Sequence, residues 1–320
     1  MEKPLISFIV TYYNLPVAML CECIESILSL SLRPYEREII IVDDGSDTWP
    51  METLKKYGNA ILYLRKPNGG ISTARNLALR TATGQYIQFI DSDDHLVQPA
   101  YEHCIDLIRF SKTDMLIFDF AGQQATDADF IDKGPFSGSE LMRSQNIHGS
   151  ACSYLFQQAV RGALLFTPGT NYGEDEEFTA QLILRAESTI RTNAAAYYYR
   201  QHQASATHQT DKRSIIRRLS ETKAVITRLN AFTDRLPVNE KTALQRRVAQ
   251  LTMDYLYNII RLTGSRHYLE RKMEVLQQEG LFPLPDKDYT TKYTWFRRLS
   301  NSPTGISLLM RLIPLIQKEA

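Results

Sequence analysis

Four consecutive β-branched residues, Ile39-Ile40-Ile41-Val42, run without a polar break into Asp43-Asp44-Gly45-Ser46-Asp47. A continuous apolar run of this kind reads as a strand buried on both faces, the habit of parallel sheets covered by helices. Ile6-Ser7-Phe8-Ile9-Val10 predicts another strand, ending at Thr11-Tyr12-Tyr13-Asn14, and the segment from Pro16 to Leu32 between them has helical spacing. Strand, helix, strand in that order favours parallel pairing through a right-handed crossover. In open parallel sheets ligands gather at the carboxyl ends of the strands. The polar turns of this chain are therefore expected on one rim.

A further apolar run ends in Phe89-Ile90-Asp91-Ser92-Asp93-Asp94, three carboxylates within four residues. Crowded carboxylates resist ionising together unless a cation or a hydrogen-bonded ligand sits among them. Oxygen-only ligands suit Mg²⁺ or Mn²⁺, ions that usually hold substrate phosphates as well. Taken alone, such a cluster is equally a solvated acidic turn. Between the two acidic turns lies Asn68-Gly69-Gly70-Ile71-Ser72-Thr73-Ala74-Arg75-Asn76. Its glycines allow tight turns near a ligand, as they would in an ordinary loop. Ser72 is placed to cap the helix that follows, and Arg75 can pair with a phosphate or an aspartate. No G-x-G-x-x-G or G-x-x-x-x-G-K-[ST] occurs here, which excludes dinucleotide-binding and P-loop readings.

These motifs, in this order, resemble the family-two glycosyltransferases of the GT-A fold. The resemblance is carried by Phe8-Ile9-Val10-Thr11-Tyr12-Tyr13-Asn14, Val42-Asp43-Asp44-Gly45-Ser46-Asp47, Asn68-Gly69-Gly70 with Ala74-Arg75-Asn76, Gly84-Gln85-Tyr86-Ile87 and Asp91-Ser92-Asp93-Asp94, and it spans residues 5 to 205. It implies inverting transfer of a sugar from a nucleotide diphosphate donor. Asp44 would then contact the base, with Asp43 nearby, and Thr11 and Tyr13 would line the nucleoside pocket. Asp91 and Asp93 match the family's Asp-x-Asp, touching ribose and the metal-bound diphosphate, with Ser92 between them. Asn68, Gly70 and Arg75 join the nucleotide-sugar contacts. For the metal, Asp93 is placed first, then Asp91.

A third acidic cluster, Tyr172-Gly173-Glu174-Asp175-Glu176-Glu177-Phe178, opens a helix through Ala180, Leu182, Ile183 and Leu184. Inverting displacement needs one general base for the acceptor hydroxyl, unlike the carboxylate pair of glycosidases. The family's Glu-Asp motif falls on Glu174-Asp175, which makes Asp175 the base and Glu174 a donor contact. Acidic residues also stabilise a helix start against its dipole, which accounts for Glu176 and Glu177. Tyr197-Tyr198-Tyr199-Arg200-Gln201-His202 matches a segment that closes over the diphosphate in relatives. By that resemblance Arg200 or His202 would reach the donor phosphates or the metal. Tyr197 and Tyr198 read as the packed face of a strand. Gly149 to Phe156 and Phe166-Thr167-Pro168 lack the family's tryptophan and lysine and are expected to help shape the acceptor pocket.

At 320 residues the chain can bury a large core and hold two domains. Residues 201–320 carry 20 Lys and Arg against 11 Asp and Glu, while residues 1–200 carry 17 against 25. The acidic half holds the metal candidates, and the basic half invites an anionic partner. Four cysteines without a zinc pattern fit a reducing cytosol, no run is long enough to span a membrane, and, with Met1 to Pro4 leading straight into a strand, no signal peptide is expected. The tail, Trp295-Phe296-Arg297-Arg298 and then Ile306 to Ile316, is apolar with basic flanks. It can lie on an anionic inner leaflet or pack on the catalytic domain or a partner subunit, and Pro314 is expected to interrupt its helix.

The expectation is an α/β GT-A catalytic domain over 1–205, with a mixed, mainly parallel sheet and a mostly helical extension over 206–320. The resemblance implies a non-processive, metal-dependent glycosyltransferase that would take a UDP-sugar to a glycan or lipid-linked oligosaccharide, with Mn²⁺ or Mg²⁺ as cofactor. The expected setting is cell-surface polysaccharide assembly in the cytoplasm, at or near the inner membrane, with room for a homodimer and no nucleic-acid partner. A sugar-nucleotide pyrophosphorylase would need a glycine- and lysine-rich phosphate loop that Thr11 to Pro16 does not supply. An inactive scaffold of the same fold predicts a broken acidic motif.

Overall fold

Strands β1 (Ile6–Tyr12), β2 (Arg37–Asp43), β3 (Leu62–Arg65) and β4 (Tyr86–Asp91) are parallel neighbours in the order β3-β2-β1-β4. The apolar side chains of β1, β2 and β4 are buried on both faces, as their unbroken runs require. Each such Ile, Val or Phe contributes about 1.5–3 kcal/mol by leaving water. The remaining strands are β5 (His95–Leu96), β6 (Met115–Ala121), β7 (Asp132–Phe136), β8 (Tyr154–Gln157) and β9 (Thr189–Tyr198). They extend the sheet as β4-β8-β6-β9-β5, with β7 also paired to β9. β8 runs antiparallel to both β4 and β6, so the sheet is mixed.

The helices are α1 (Val17–Leu28), α2 (Met51–Leu54), α3 (Ile71–Thr81), α4 (Gln98–Ser111), α5 (Gly138–Ser144) and α6 (Gln158–Arg161). They continue with α7 (Glu174–Ile183), α8 (Lys212–Thr233), α9 (Val238–Thr263), α10 (Arg266–Gln278), α11 (Thr291–Ser300) and α12 (Pro303–Ile316). This computed structural model describes residues 3–122, 129–201 and 211–316. Contacts divide the chain into one unit of Met1–Gly138 with His148–Ser205, and another of Ser139–Ile147 with Ala206–Ala320.

In the first unit the parallel register sets Thr11 between Val42 and Asp91, and Tyr12 beside Asp43. The turns after β1, β2 and β4 thus share one rim. Asn14, in the left-handed region at φ 49°, joins two of them. Its amide group exchanges hydrogen bonds with Asp47 (3.0 and 2.8 Å), and its backbone N–H donates to Ser46 Oγ (3.0 Å). Helix α3 begins differently from expectation. Its N-cap is Gly70, at φ 84° and ψ 162°, and no side chain caps it. Ser72 already lies inside the helix, where its hydroxyl donates to Thr170 O (2.8 Å).

In the second unit α9 is the central helix, with α8, α10, α11 and α12 packed against it. Its buried positions include Leu244, Val248, Leu251, Tyr255 and Ile259, the spacing of one helical face. Asp211 caps α8 by accepting from the N–H groups of Arg213 (3.0 Å) and Ser214 (3.1 Å). Buried Arg246 donates to the carbonyls of Met142 (3.0 Å), Gln145 (2.9 Å) and Asp288 (2.6 Å), tying 139–147 into this unit. Pro314 does not stop α12, which carries through to Ile316 with the proline in its last turn. Among the described residues no helix is long and apolar enough to cross a membrane. All four cysteines are free and buried.

Candidate active site

The first acidic turn is held from within. Asp43 is buried, with Oδ1 accepting from Ser46 N–H (2.8 Å) and Oδ2 from the Tyr63 hydroxyl (2.6 Å). Arg65 Nε lies 3.7 Å from Oδ2. Asp44 is an anchor for the glycine loop: it accepts from the N–H of Gly69 (3.1 Å) and of Gly70 (2.7 Å) and pairs with Lys66. Hydrogen bonds from N–H groups to a carboxylate are roughly twice as strong as neutral ones, so these contacts fix the loop. Asp44 therefore sets where α3 starts.

The second acidic turn, after β4, is held by β9. Tyr197 is buried, and its hydroxyl donates to Asp94 Oδ2 (2.7 Å) while accepting from the N–H of Asp91 (3.0 Å). Arg200 adds its backbone N–H to Asp94 Oδ1 (2.8 Å), its Nε to the Asp93 carbonyl (2.9 Å), and an ion pair to Glu22. These contacts leave Asp94 a supporting residue. Burial, and then the neighbouring Asp91 charge, push its carboxyl up to about 7. Ser92 Oγ is buried with no hydrogen-bond partner among the described residues.

Arg75 joins this turn to the third cluster. Its side chain is only 2% exposed, and its guanidinium reaches Asp91 (3.2 Å), Glu174 (3.4 Å) and Asp175. The rings of Phe89 and Phe166 lie 5.6 and 5.2 Å from its centre. Phe166 stacks on Phe178 at 4.1 Å, so the cation sits over an aromatic floor. Asp175 is held at both oxygens, by Arg75 on Oδ1 and by the N–H of Ala151 on Oδ2 (3.1 Å). Its side chain remains 20% exposed.

One guanidinium thus faces three carboxylates. Burial raises the Asp91 carboxyl above its ordinary value, Arg75 opposes the rise, and Asp93 and Asp175 add to it. Burial, then the Asp175 charge, push Glu174 up to about 8. Burial works against the Arg75 charge, but the surrounding carboxylates outweigh it and hold the guanidinium protonated.

The structure thus brings Asp91, Arg75, Glu174 and Asp175 together, with Thr11 beside Asp91. Tyr13 stands about half exposed and Asn68 is exposed on the glycine loop. His202 lies outside the described residues. Tyr154, Leu155, Phe156 and Phe166 are buried in the core, and of the stretch expected to shape the acceptor pocket it is the Ala151 N–H that reaches Asp175. Three supports were not read from the sequence. The Ala151 N–H carries no side-chain signal at all, and Tyr197 was read as packing only. Exposed Trp49, with Arg65 over its ring at 5.6 Å, adds an aromatic after the β2 turn.

Residues 7–154 match the family described as Glycosyl transferase family 2. The chain is similar to the minor teichoic acid biosynthesis protein GgaB of Bacillus subtilis (strain 168), at 28% identity over 219 residues. That match covers 64% of this chain and 24% of GgaB, and the first curated relatives are all covered over less than two thirds of their length. In fold it resembles S. aureus TarS 1-349 in complex with UDP-GlcNAc, with TM-score 0.64 at 16% identity, covering 98% of this chain and 91% of that one. It also resembles the mannosyltransferase PcManGT of Pyrobaculum calidifontis in complex with GDP-Man and Mn²⁺, with TM-score 0.53 at 14% identity, covering 99% and 88%.

Proposed function

We propose that this chain, whose residues 7–154 match glycosyl transferase family 2 and whose fold is of the GT-A type, is an inverting transferase acting on a nucleotide diphosphate sugar. It moves one sugar to a hydroxyl of a glycan or lipid-linked acceptor. The observation that carries this reading is the two-sided hold on Asp175. Arg75 and the Ala151 N–H each take one lone pair of the carboxylate, and about two more remain. The partly exposed edge can accept the proton of an acceptor hydroxyl as its oxygen attacks the anomeric carbon. The bond from that carbon to the diphosphate oxygen breaks, the diphosphate leaves with the electron pair, and the anomer inverts. Arg75 is a positioning residue in this scheme, since it acts through Asp175.

Asp91 and Asp93 stand on either side of Ser92 in the turn after β4, and their carboxylates are the hard oxygen ligands that suit Mg²⁺ or Mn²⁺. Among the described residues no group of three or more His, Cys, Asp or Glu side chains is placed to hold a metal ion by itself. One or two carboxylates with substrate phosphates is the usual Mg²⁺ arrangement, so the donor would complete the set. Such an ion would act as a Lewis acid toward the departing diphosphate. We place the base of the nucleotide at the β2 turn, near Asp43 and Asp44, and the ribose near Thr11 and Tyr13.

A UDP-sugar is the donor we favour, in line with the UDP-GlcNAc complex of TarS. Cell-surface polysaccharide assembly at the cytoplasmic face of the membrane is the setting we favour, in line with the name of GgaB. The joined acidic turns speak against an inactive scaffold. Calorimetric titration of UDP, GDP and dTDP, with and without Mn²⁺, tests the reading on wild type and Asp93→Ala. One nucleotide should bind in a metal-dependent way, and Asp93→Ala should lose that dependence. Failure of all three to bind would overturn the proposal.

A further inference from the structure

Helix α12 has two apolar stripes. Gly305, Leu309 and Ile313 are buried, the i, i+4, i+8 face against its neighbours. Leu308 (44% exposed), Leu312 (42%) and Leu315 (59%) form a second stripe at i, i+4, i+7, open to solvent. Trp295 on α11 is 58% exposed, with the Arg298 guanidinium 5.8 Å from its ring centre. Arg298 and Arg311 are exposed on the same two helices. Residues 289–318 hold five basic side chains (Lys292, Arg297, Arg298, Arg311 and Lys318) and no acidic one. The single ion pair in this stretch among the described residues is Arg297 with Asp286 (2.8 Å).

We propose that the exposed face of α11 and α12 docks on an anionic lipid bilayer, with the leucines and Trp295 at the acyl boundary and Arg298 and Arg311 at the headgroups. The charge pattern selects this occupant. A second copy of the chain would bring the same cations against themselves, whereas an anionic leaflet complements a stretch without one carboxylate. Apolar stripe, tryptophan and flanking arginines are the composition of helices that lie in the interface plane. Arginine stems cover apolar surface while their charges stay at headgroup level. The inference extends the membrane-side setting proposed above but is read without any sugar transfer.

The test is co-sedimentation of the full chain with vesicles of phosphatidylcholine alone or with about a third phosphatidylglycerol. The anionic vesicles should bind at least about tenfold more tightly. Each basic residue at an anionic surface adds about fivefold, so Arg298→Gln with Arg311→Gln should weaken binding by more than about tenfold. A triple Leu308→Ser, Leu312→Ser, Leu315→Ser variant should lose binding to both vesicles. The arginine pair keeps the test decisive should the triple variant fail to fold. Metal-dependent nucleotide binding by these variants should match wild type, and its absence from wild type and variants alike would count against the transferase reading and not against docking. No binding, equal binding to both vesicles, or binding untouched by the substitutions would overturn docking. So would a dimer by light scattering that the leucine changes convert to monomer, since the face would then be a subunit interface.

Discussion

Arg75 is the residue on which the site depends, and its surroundings make its removal costly. Arg75→Met would leave Asp91, Glu174 and Asp175 together without their shared cation, a loss of about 3–5 kcal/mol of stability at neutral pH. Urea unfolding would measure it. Glu174 gives a second test. Its carboxyl is pushed up to about 8 in the folded chain, so the folded state holds a proton the unfolded state has lost. That stabilisation is complete below about pH 4 and disappears as pH rises through about 8. Metal-free protein should therefore melt at falling temperature between about pH 6 and pH 9, and Glu174→Gln should flatten the fall. A slope unchanged in Glu174→Gln would place the titration elsewhere. Glu174 and Asp175 were legible through the Glu-Asp motif of the family the chain resembles, and Arg75 because an arginine one turn into a helix beside an acidic rim can pair with an aspartate. Ala151 was not, because its contribution is a backbone N–H that any residue offers.

Helix α3 and strand β9 are the elements that align the rim. The α3 N-cap, Gly70, holds a backbone conformation open only to glycine, and a Cβ there would meet Asn171 Oδ1 at 2.8 Å. Gly70→Ala should cost about 1–3 kcal/mol by that strain and weaken donor binding in calorimetry. Tyr197→Phe should remove the link between β9 and the Asp91–Asp94 turn, at about 1–3 kcal/mol for the buried groups left unpaired. Its metal-dependent nucleotide binding should weaken, and unaltered binding would show that β9 does not set the turn. The parallel half of the sheet was legible because β1, β2 and β4 are unbroken apolar runs closed by polar turns. The antiparallel entry of β8 between β4 and β6 was not. Tyr154–Gln157 carries only four residues, and its partners lie far away in sequence. Ser72 misled for a related reason: a serine near a helix start is a fair cap, but the glycine two residues earlier takes that place.

At the scale of the molecule, the helical character of the second half was plain from spacing, whereas the grouping of residues 139–147 with it was not. That grouping rests on buried polar contacts from Arg246 and on Gln250 Nε2 donating to Asn146 Oδ1 (2.7 Å), which no local pattern announces. Burial lowers the Arg246 pKa, and its guanidinium is satisfied chiefly by carbonyls. Arg246→Met should cost about 1–3 kcal/mol for each carbonyl left unpaired. Hydrogen exchange should then rise in 139–147 together with the α9 segment around 246, and a rise confined to α9 would deny the grouping. The whole reading meets its most direct test in Asp175→Asn, compared with wild type for binding of the nucleotide-sugar and for its turnover. If Asp175 is the base, the donor should bind within about threefold of wild type while kcat falls by about 10²–10⁴. Turnover close to wild type would contradict it.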